Sequence, residues 1–212
     1  MILIVEGRQN QQHADLLQSM FVARKEVFHD RMGWNVSIID GEERDLYDDL
    51  GPLYVFSVDA DKRVAFGSLR LLPTTGRTML KDIFADFFDE RVDVSSPLIW
   101  ECTRFCTHPA SIGQLSNHGI NNISRELLIG ICEAALKAGI AQIVGVFDER
   151  MVRIYKRGGW IPDVIARSKG VGHGRVAVGL WDVSESVLEE MRSKTQSQES
   201  LWLQKSVFKA AA

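Results

Sequence analysis

Leu53-Tyr-Val-Phe-Ser-Val-Asp59 and Val64-Ala-Phe-Gly-Ser-Leu-Arg-Leu-Leu72, with Asp59-Ala-Asp-Lys62 between them, read as two strands of a β-hairpin. Both runs are rich in β-branched and aromatic residues, and the turn is polar. Pro73-Thr-Thr-Gly76 ends the second strand. Working outward, Met1 to Val5 predicts a short strand and Leu98 to Thr107 a longer one, ended by His108-Pro109. Ile140 to Phe147 is almost continuously apolar, as expected of a strand covered on both faces. Val176 to Trp181 predicts the last strand.

Helical patterns alternate with these strands. Residues 11 to 28 place Ala14, Leu17, Met20, Phe21, Val27 and Phe28 at helical spacing. Met79 to Phe88 reads as short helical turns. Asn117 to Ala138 reads as a long helix whose apolar face is Ile120, Ile123, Leu127, Leu128, Ile131 and Leu136, with Gly139 as its cap. Glu149 to Arg157 forms another helix, closed by Gly158-Gly159, and Ser184 to Lys209 carries two helical patterns. Residues 29 to 51 are expected to be mostly loop, holding Trp34 and the run Asp40-Gly-Glu-Glu-Arg-Asp-Leu-Tyr-Asp-Asp49. An early hairpin followed by alternating helices and strands predicts an α/β (α+β) fold, one domain over residues 1–212, with a mixed sheet flanked by helices.

Composition narrows the function. Apolar residues are 45 % and charged residues 25 % of the 212, ordinary for a globular chain. The net charge of −3 gives no global attraction to nucleic acid or an anionic membrane. Three cysteines, Cys102, Cys106 and Cys132, are not a disulfide framework and fit a reducing compartment. MILIVEG lacks the basic region and apolar length of a signal peptide. No stretch approaches the roughly 18 apolar residues needed to span a bilayer. A cytoplasmic protein with no membrane and no nucleic-acid partner is expected.

The common nucleotide signatures are missing. No Gly-x-Gly-x-x-Gly follows a strand, and there is neither a Walker loop nor a Gly-x-Ser-x-Gly elbow. Gly170-Val-Gly-His-Gly174 reads as a turn. Cys102-x3-Cys106-x-His108 invites a zinc reading, but four residues of strand span about 13 Å, too far for two sulfurs on one metal. No metal site is expected. What remains is charge on central strands: Arg70 in Ser68-Leu-Arg-Leu-Leu72, and Glu101 and Arg104 in Leu98-Ile-Trp-Glu-Cys-Thr-Arg-Phe105. Such groups must be paired, or they cost several kcal/mol each by order of magnitude. Asp45 and Asp48 in the acidic loop could supply the further carboxylates. A buried set of charges of this kind marks a functional site more often than a structural core. Glu101 and Arg104 are three apart, so a bulge or twist must intervene if both are to face one cleft. Arg24 lies on the apolar stripe of the first helix. Taken alone it is expected to snorkel to the helix edge.

The ordered motifs Arg24-Lys-Glu-Val-Phe28, Gly33-Trp34, Glu43-Arg-Asp45-Leu-Tyr-Asp48, Gly67-Ser-Leu-Arg70-Leu-Leu-Pro-Thr-Thr75 and Trp100-Glu101-x-x-Arg104-Phe105 resemble the acyl-homoserine-lactone synthases, the LuxI-type autoinducer synthases. The agreement covers residues 1 to about 109, and the second half, through Gly158-Gly-Trp160, fits less tightly. The resemblance implies a fold similar to the GCN5-related N-acetyltransferases. It also implies a transferase that makes an N-acyl-homoserine lactone quorum signal. Its substrates would be S-adenosylmethionine and an acyl thioester on acyl carrier protein or coenzyme A, with no cofactor beyond them. Methylthioadenosine would be released. By the same resemblance Glu101 is the candidate base, Asp45 and Asp48 hold the amine and the loop, and Arg70 and Arg104 fix those carboxylates. Arg24, Phe28, Trp34, Arg104 and Phe105 line the S-adenosylmethionine pocket, where aromatic faces suit an adenine and a sulfonium.

Phe84, Leu98, Trp100, Val144, Gly145, Val146, Met151 and Tyr155 are candidates for the acyl pocket. Gly145 stands where many family members carry a threonine, so no strong preference for 3-oxo chains is expected. Arg150, Arg153, Lys156 and Arg157 are candidates for a patch that docks an acidic carrier protein, although such a pattern is commonly a solvated helix face. The rival reading is another GCN5-like N-acyltransferase acting on a different amine. His108-Pro-Ala-Ser-Ile-Gly113-Gln-Leu-Ser supplies its pyrophosphate loop poorly. A third reading is a non-enzymatic signal-binding module, which would leave the paired charges without a purpose.

Overall fold

A computed structural model describes residues 1–7, 10–59, 61, 64–109, 122–170 and 175–195. Its strands are β1 (Ile2–Glu6), β2 (Ile38–Ile39), β3 (Glu42–Glu43), β4 (Leu53–Val58), β5 (Ala65–Pro73), β6 (Ile99–Thr107), β7 (Gln142–Asp148), β8 (Asp163–Arg167) and β9 (Val176–Asp182). Its helices are α1 (Ala14–Arg24), α2 (Met79–Asp82), α3 (Asn122–Lys137), α4 (Val152–Gly158) and α5 (Glu185–Thr195). Seven strands hydrogen-bond in the order β1-β4-β5-β6-β7-β9-β8, and β2 pairs with β3 as a separate ribbon. The β6–β7 pairing is parallel, whereas β1–β4, β4–β5, β7–β9 and β8–β9 are antiparallel, so the sheet is mixed. This is the expected fold class.

The described residues fall into two compact units. One comprises Met1–Leu71 and Arg104–Leu127, the other Leu72–Thr103 and residues from 128 onward. In the first, the predicted β4–β5 hairpin forms, with Tyr54 opposite Arg70 and Phe56 opposite Ser68. α1 buries Leu16, Leu17, Met20 and Phe21 against Leu3, Val5, Tyr54 and Phe56. Ala14, placed on this stripe by its spacing, is exposed. A π-helical turn, Lys25–Arg31, continues α1 and carries Val27 and Phe28 into a small cluster with Trp34, Val36 and Cys106. At Gly67 a Cβ would sit 2.6 Å from Ile123 Cγ2 and 3.0 Å from the Cys106 carbonyl, so α3 and β6 pack here on bare backbone.

In the second unit, β7, β8 and β9 pack one face on Leu80, Phe88, Phe84 and Phe87 through Val144, Val146, Val178 and Ala166. The other face carries Phe147, Tyr155 and Trp181, with ring centroids 5.0–5.3 Å apart. α4 ends on Gly159, whose φ of +83° needs no Cβ. Strand β8 is an addition to the sequence reading. Only alternate residues, Val164 and Ala166, are half-buried, which leaves a weak signal typical of an edge. The predicted helix starts at residue 122 among the described residues. Residues 117–121, the glycine-rich turn beyond Gly170 and the tail beyond 195 lie outside them. Among the described residues no helix is long and apolar enough to cross a membrane.

Candidate functional site

The site in the first unit is assembled by a loop that hydrogen-bonds to itself. Asp45 Oδ1 accepts from the Tyr47 amide at 2.9 Å, and Asp48 Oδ2 accepts from the Asp45 amide at 2.9 Å. These bonds turn both carboxylates toward the sheet. Glu43 arrives on β3, behind a tight turn in which Asp40 and Gly41 have φ of +50° and +82°.

Three arginines meet these carboxylates. Arg24, at the end of α1, donates from Nε to Glu43 Oε2 at 2.5 Å and from Nη1 and Nη2 to Asp48 at 2.9 and 3.1 Å. Arg70, on β5, forks onto Asp45 at 2.5 and 3.0 Å and reaches Asp48 Oδ1 at 2.8 Å. Arg104, on β6, donates from Nη2 to Glu43 Oε1 at 2.8 Å and to Asp45 Oδ2 at 2.9 Å. Arg24 is 1 %, Arg70 0 % and Glu43 0 % exposed, so the pairs are out of water. Forked, charge-assisted geometry is what makes such burial tolerable.

Asp45 and Asp48 thus sit on Arg70, the pairing expected of them. Arg24 overturns the snorkelling expectation: its head points inward because Glu43 and Asp48 wait there. Burial would lower the pKa of the Arg24 guanidinium, but Asp48 and Glu43 reverse this and raise it. Burial would raise the pKa of Asp48, and Arg24 and Arg70 instead hold it well below the carboxylate range. Arg104 has φ +53°, left-handed for a residue with a Cβ. The regular alternation of β6 therefore breaks at Arg104, three residues after Glu101.

Beside the charges, Phe28 and Trp34 stack with centroids 5.2 Å apart and an interplanar angle of 22°. The Arg104 guanidinium carbon lies 5.4 Å from the Phe28 centroid. The π-helical turn and the Trp34 amide, bonded to the Phe28 carbonyl at 2.9 Å, fix this pair. Phe105 is half-buried on β6. Two members of this site have no role assigned from the sequence. Glu43 is part of an acidic run that reads as solvated, and Tyr54 reads as a strand core residue, yet its hydroxyl donates to Asp48 Oδ1 at 2.8 Å.

In the second unit Glu101 is buried, and its two oxygens accept from the Met79 and Leu80 amides at 2.9 and 2.7 Å. It thereby caps the start of α2. The acyl candidates divide. Phe84, Val144 and Val146 share one cluster. Gly145 faces the other way, where a Cβ would meet the Cys102 carbonyl at 3.3 Å and Trp181 at 3.5 Å, and Tyr155 packs on that same Trp181. Strand alternation forbids one pocket wall from 144, 145 and 146 together. Leu98 is 51 % exposed and does not join either cluster. Trp100 and Met151 are half-buried.

Arg150, Arg153, Lys156 and Arg157 are all exposed, as a docking patch requires. Arg150, however, folds back onto Asp148 at 2.5 and 2.9 Å, so its charge is locally offset. Burial pushes the Cys102 and Cys132 thiols up to about 12 and Cys106 to about 11, which keeps them protonated and inert at neutral pH. Among the described residues no group of His, Cys, Asp or Glu is placed to hold a metal ion.

The acyl-homoserine-lactone synthase of Rhizobium etli is 47 % identical over 175 residues, covering 82 % of this chain and 80 % of that protein. The crystallised synthase LasI superposes with a TM-score of 0.75 at 26 % identity, covering 92 % of this chain and 93 % of LasI. BjaI, described as a coenzyme-A-dependent acyl-homoserine lactone synthase with S-adenosylmethionine and isopentyl-coenzyme A, superposes at 0.81. That match covers 94 % of this chain and 90 % of BjaI, and at 23 % identity it speaks to the fold alone, a GCN5-like N-acetyltransferase fold. The family described as autoinducer synthase matches residues 8–191, and the chain belongs to it.

Proposed function

We propose that the protein makes an N-acyl-homoserine lactone from S-adenosylmethionine and an acyl thioester in the cytoplasm. The observation that carries this reading is the enclosed network of Arg24, Arg70, Arg104, Glu43, Asp45 and Asp48 beside the stacked Phe28–Trp34 pair. In the first step the α-amine of S-adenosylmethionine attacks the acyl carbonyl carbon. The C–N bond forms, the thiolate leaves and the amine gives up a proton. In the second step the methionine carboxylate oxygen attacks its own γ-carbon. The Cγ–S bond breaks, the sulfonium takes the electron pair, and methylthioadenosine leaves as the lactone closes.

Each group has a part in this scheme. Phe28 and Trp34 receive the adenine or the sulfonium on their faces. Asp45, whose side chain is the most open of the three carboxylates at 15 %, orients the amine. A free α-amine has a pKa of about 7.7–8.0, so a nearby carboxylate can orient it and take up its proton, directly or through water. Glu101 is assigned this role. The Met79 and Leu80 amides, bonded to its two oxygens, fix the orientation of this carboxylate. The acyl chain lies on the Phe84, Val144 and Val146 face. Neither valine carries a hydroxyl, and Gly145 lacks one too, which supports chains without a 3-oxo group. The donor is carrier protein or coenzyme A, and the exposed Arg153, Lys156 and Arg157 favour the acidic carrier.

The test is methylthioadenosine release by purified protein given S-adenosylmethionine and a panel of acyl thioesters, with the lactone identified by mass. Acyl transfer to other amines without methylthioadenosine would overturn the reading in favour of a general N-acyltransferase. Glu101→Gln is expected to lower kcat by about 10²–10⁴-fold, the usual worth of a general base. A folded Glu101→Gln enzyme with full activity would remove Glu101 from the mechanism.

A further inference from the structure

Tyr54 and Arg70 are direct cross-strand partners on β4 and β5. Cross-strand partners lie on one face of the sheet with Cβ atoms about 4.5–5.5 Å apart. Both reach the same atom: Asp48 Oδ1 accepts from Tyr54 Oη at 2.8 Å and from Arg70 Nη1 at 2.8 Å. Arg24 Nη1 adds a third bond to that oxygen at 2.9 Å. Two guanidiniums that repel each other are thus gathered on one oxygen, together with one neutral donor. The Tyr54 ring is 2 % exposed and packs edge-on against Phe21, with centroids 6.2 Å apart, so its hydroxyl has little freedom to turn elsewhere. Burial and the neighbouring Asp48 raise the phenol pKa, which keeps the proton on the oxygen.

We infer that Tyr54 is a positioning residue for the S-adenosylmethionine site: its hydroxyl fixes the rotamer of Asp48 and, through Asp48, the direction of Arg24. Asp48 is held at Oδ2 by the Asp45 amide and Arg24 Nη2, so the phenol completes its restraint from the sheet side. Without that donor the carboxylate follows whichever arginine moves, and Arg24 loses its fixed fork. The ring alone would serve a packing role equally well, and the hydroxyl therefore separates the two roles. This inference rests on the synthase reading above.

The experiment is Tyr54→Phe, assayed by methylthioadenosine release with each substrate varied in turn. The ring and its contact with Phe21 stay, so the melting temperature should hold within a few degrees. KM for S-adenosylmethionine should rise at least fivefold, while KM for the acyl donor should change less than twofold. Unchanged KM values for both substrates, or equal rises in both, would overturn the inference. If Tyr54→Phe folds poorly, 3-fluorotyrosine at position 54 keeps the ring and strengthens the donor. KM for S-adenosylmethionine must then move while KM for the acyl donor stays, and no movement refutes the role. Absence of methylthioadenosine release from the unmodified protein would instead refute the functional reading itself.

Discussion

Glu43 and Arg24 form a buried ion pair, Oε2 to Nε at 2.5 Å, and Glu43 shares its other oxygen with Arg104. Removing one member of such a pair leaves a buried charge uncompensated, at a cost of about 3–5 kcal/mol. Glu43→Ala should therefore be severely destabilised, and Glu43→Gln, which keeps an acceptor, less so. Urea unfolding of the two variants beside the parent protein measures this. Equal stability of all three would mean that Arg24 and Arg104 find water.

Trp34 is half-buried and stacked on Phe28, so its exchange should touch ligand binding more than folding. Aromatic stacking on a base is worth about 1–3 kcal/mol. Trp34→Ala should raise KM for S-adenosylmethionine by roughly 5- to 100-fold, and Trp34→Phe by much less. A titration of ligand binding by calorimetry checks the same ratio without turnover. Identical affinity in Trp34→Ala would place the adenine elsewhere.

His108 supplies a pH dependence of stability. Burial lowers its pKa to about 4, partly offset by the Ala65 carbonyl, while Ser68 Oγ lies 2.9 Å from Nε2. The folded state holds the ring neutral, whereas the unfolded chain protonates it below about 6.5. The stabilising contribution is thus complete above pH 6.5 and is lost as pH falls from 6.5 through about 4, amounting to about 3 kcal/mol at most. Melting temperatures across this window should decline, and His108→Gln should flatten that part of the decline. A parallel decline in the variant would assign it to other groups.

The basic surface of α4 makes a prediction about the donor. Arg153 and Arg157 are exposed, whereas Arg150 is offset by Asp148. If an acidic carrier docks here, Arg153→Glu and Arg157→Glu should lower kcat/KM for the carrier-bound donor by about tenfold, and Arg150→Ala should change it little. Salt should weaken the parent reaction likewise, because exposed charges are screened beyond about 10 Å at 0.1 M. A donor bound through coenzyme A would leave charge reversal on α4 without this effect.

What the chain discloses in its sequence follows from range. The hairpin, β6 and β7 are legible because alternation and apolar runs are local signals. The need for loop carboxylates on Arg70 and Arg104 is legible because buried charge must be neutralised, and Asp45 does pair with both. Arg24 misleads because its partners lie 19 and 24 residues away, in a loop that looks solvated. The π-helical turn leaves no mark, since the residues that expand a helix are the same ones that continue it. The acyl candidates at 144, 145 and 146 could be found as a strand but not as a wall, because neighbours on a strand face apart.

The network of Arg24, Arg70 and Arg104 with Glu43, Asp45 and Asp48 also carries equal numbers of fixed positive and negative charges. Such an arrangement has no monopole. Its potential dies away within a few ångströms, so it neither draws a cation from a distance nor needs a counter-ion when empty. If the proposed function holds, recognition there is a near-field matter: the substrate must bring opposite charges at the right separation, as the amine and carboxylate of an amino acid do. The protein thus divides its electrostatics by range, with a balanced multipole inside and the exposed cations Arg153, Lys156 and Arg157 on the α4 surface.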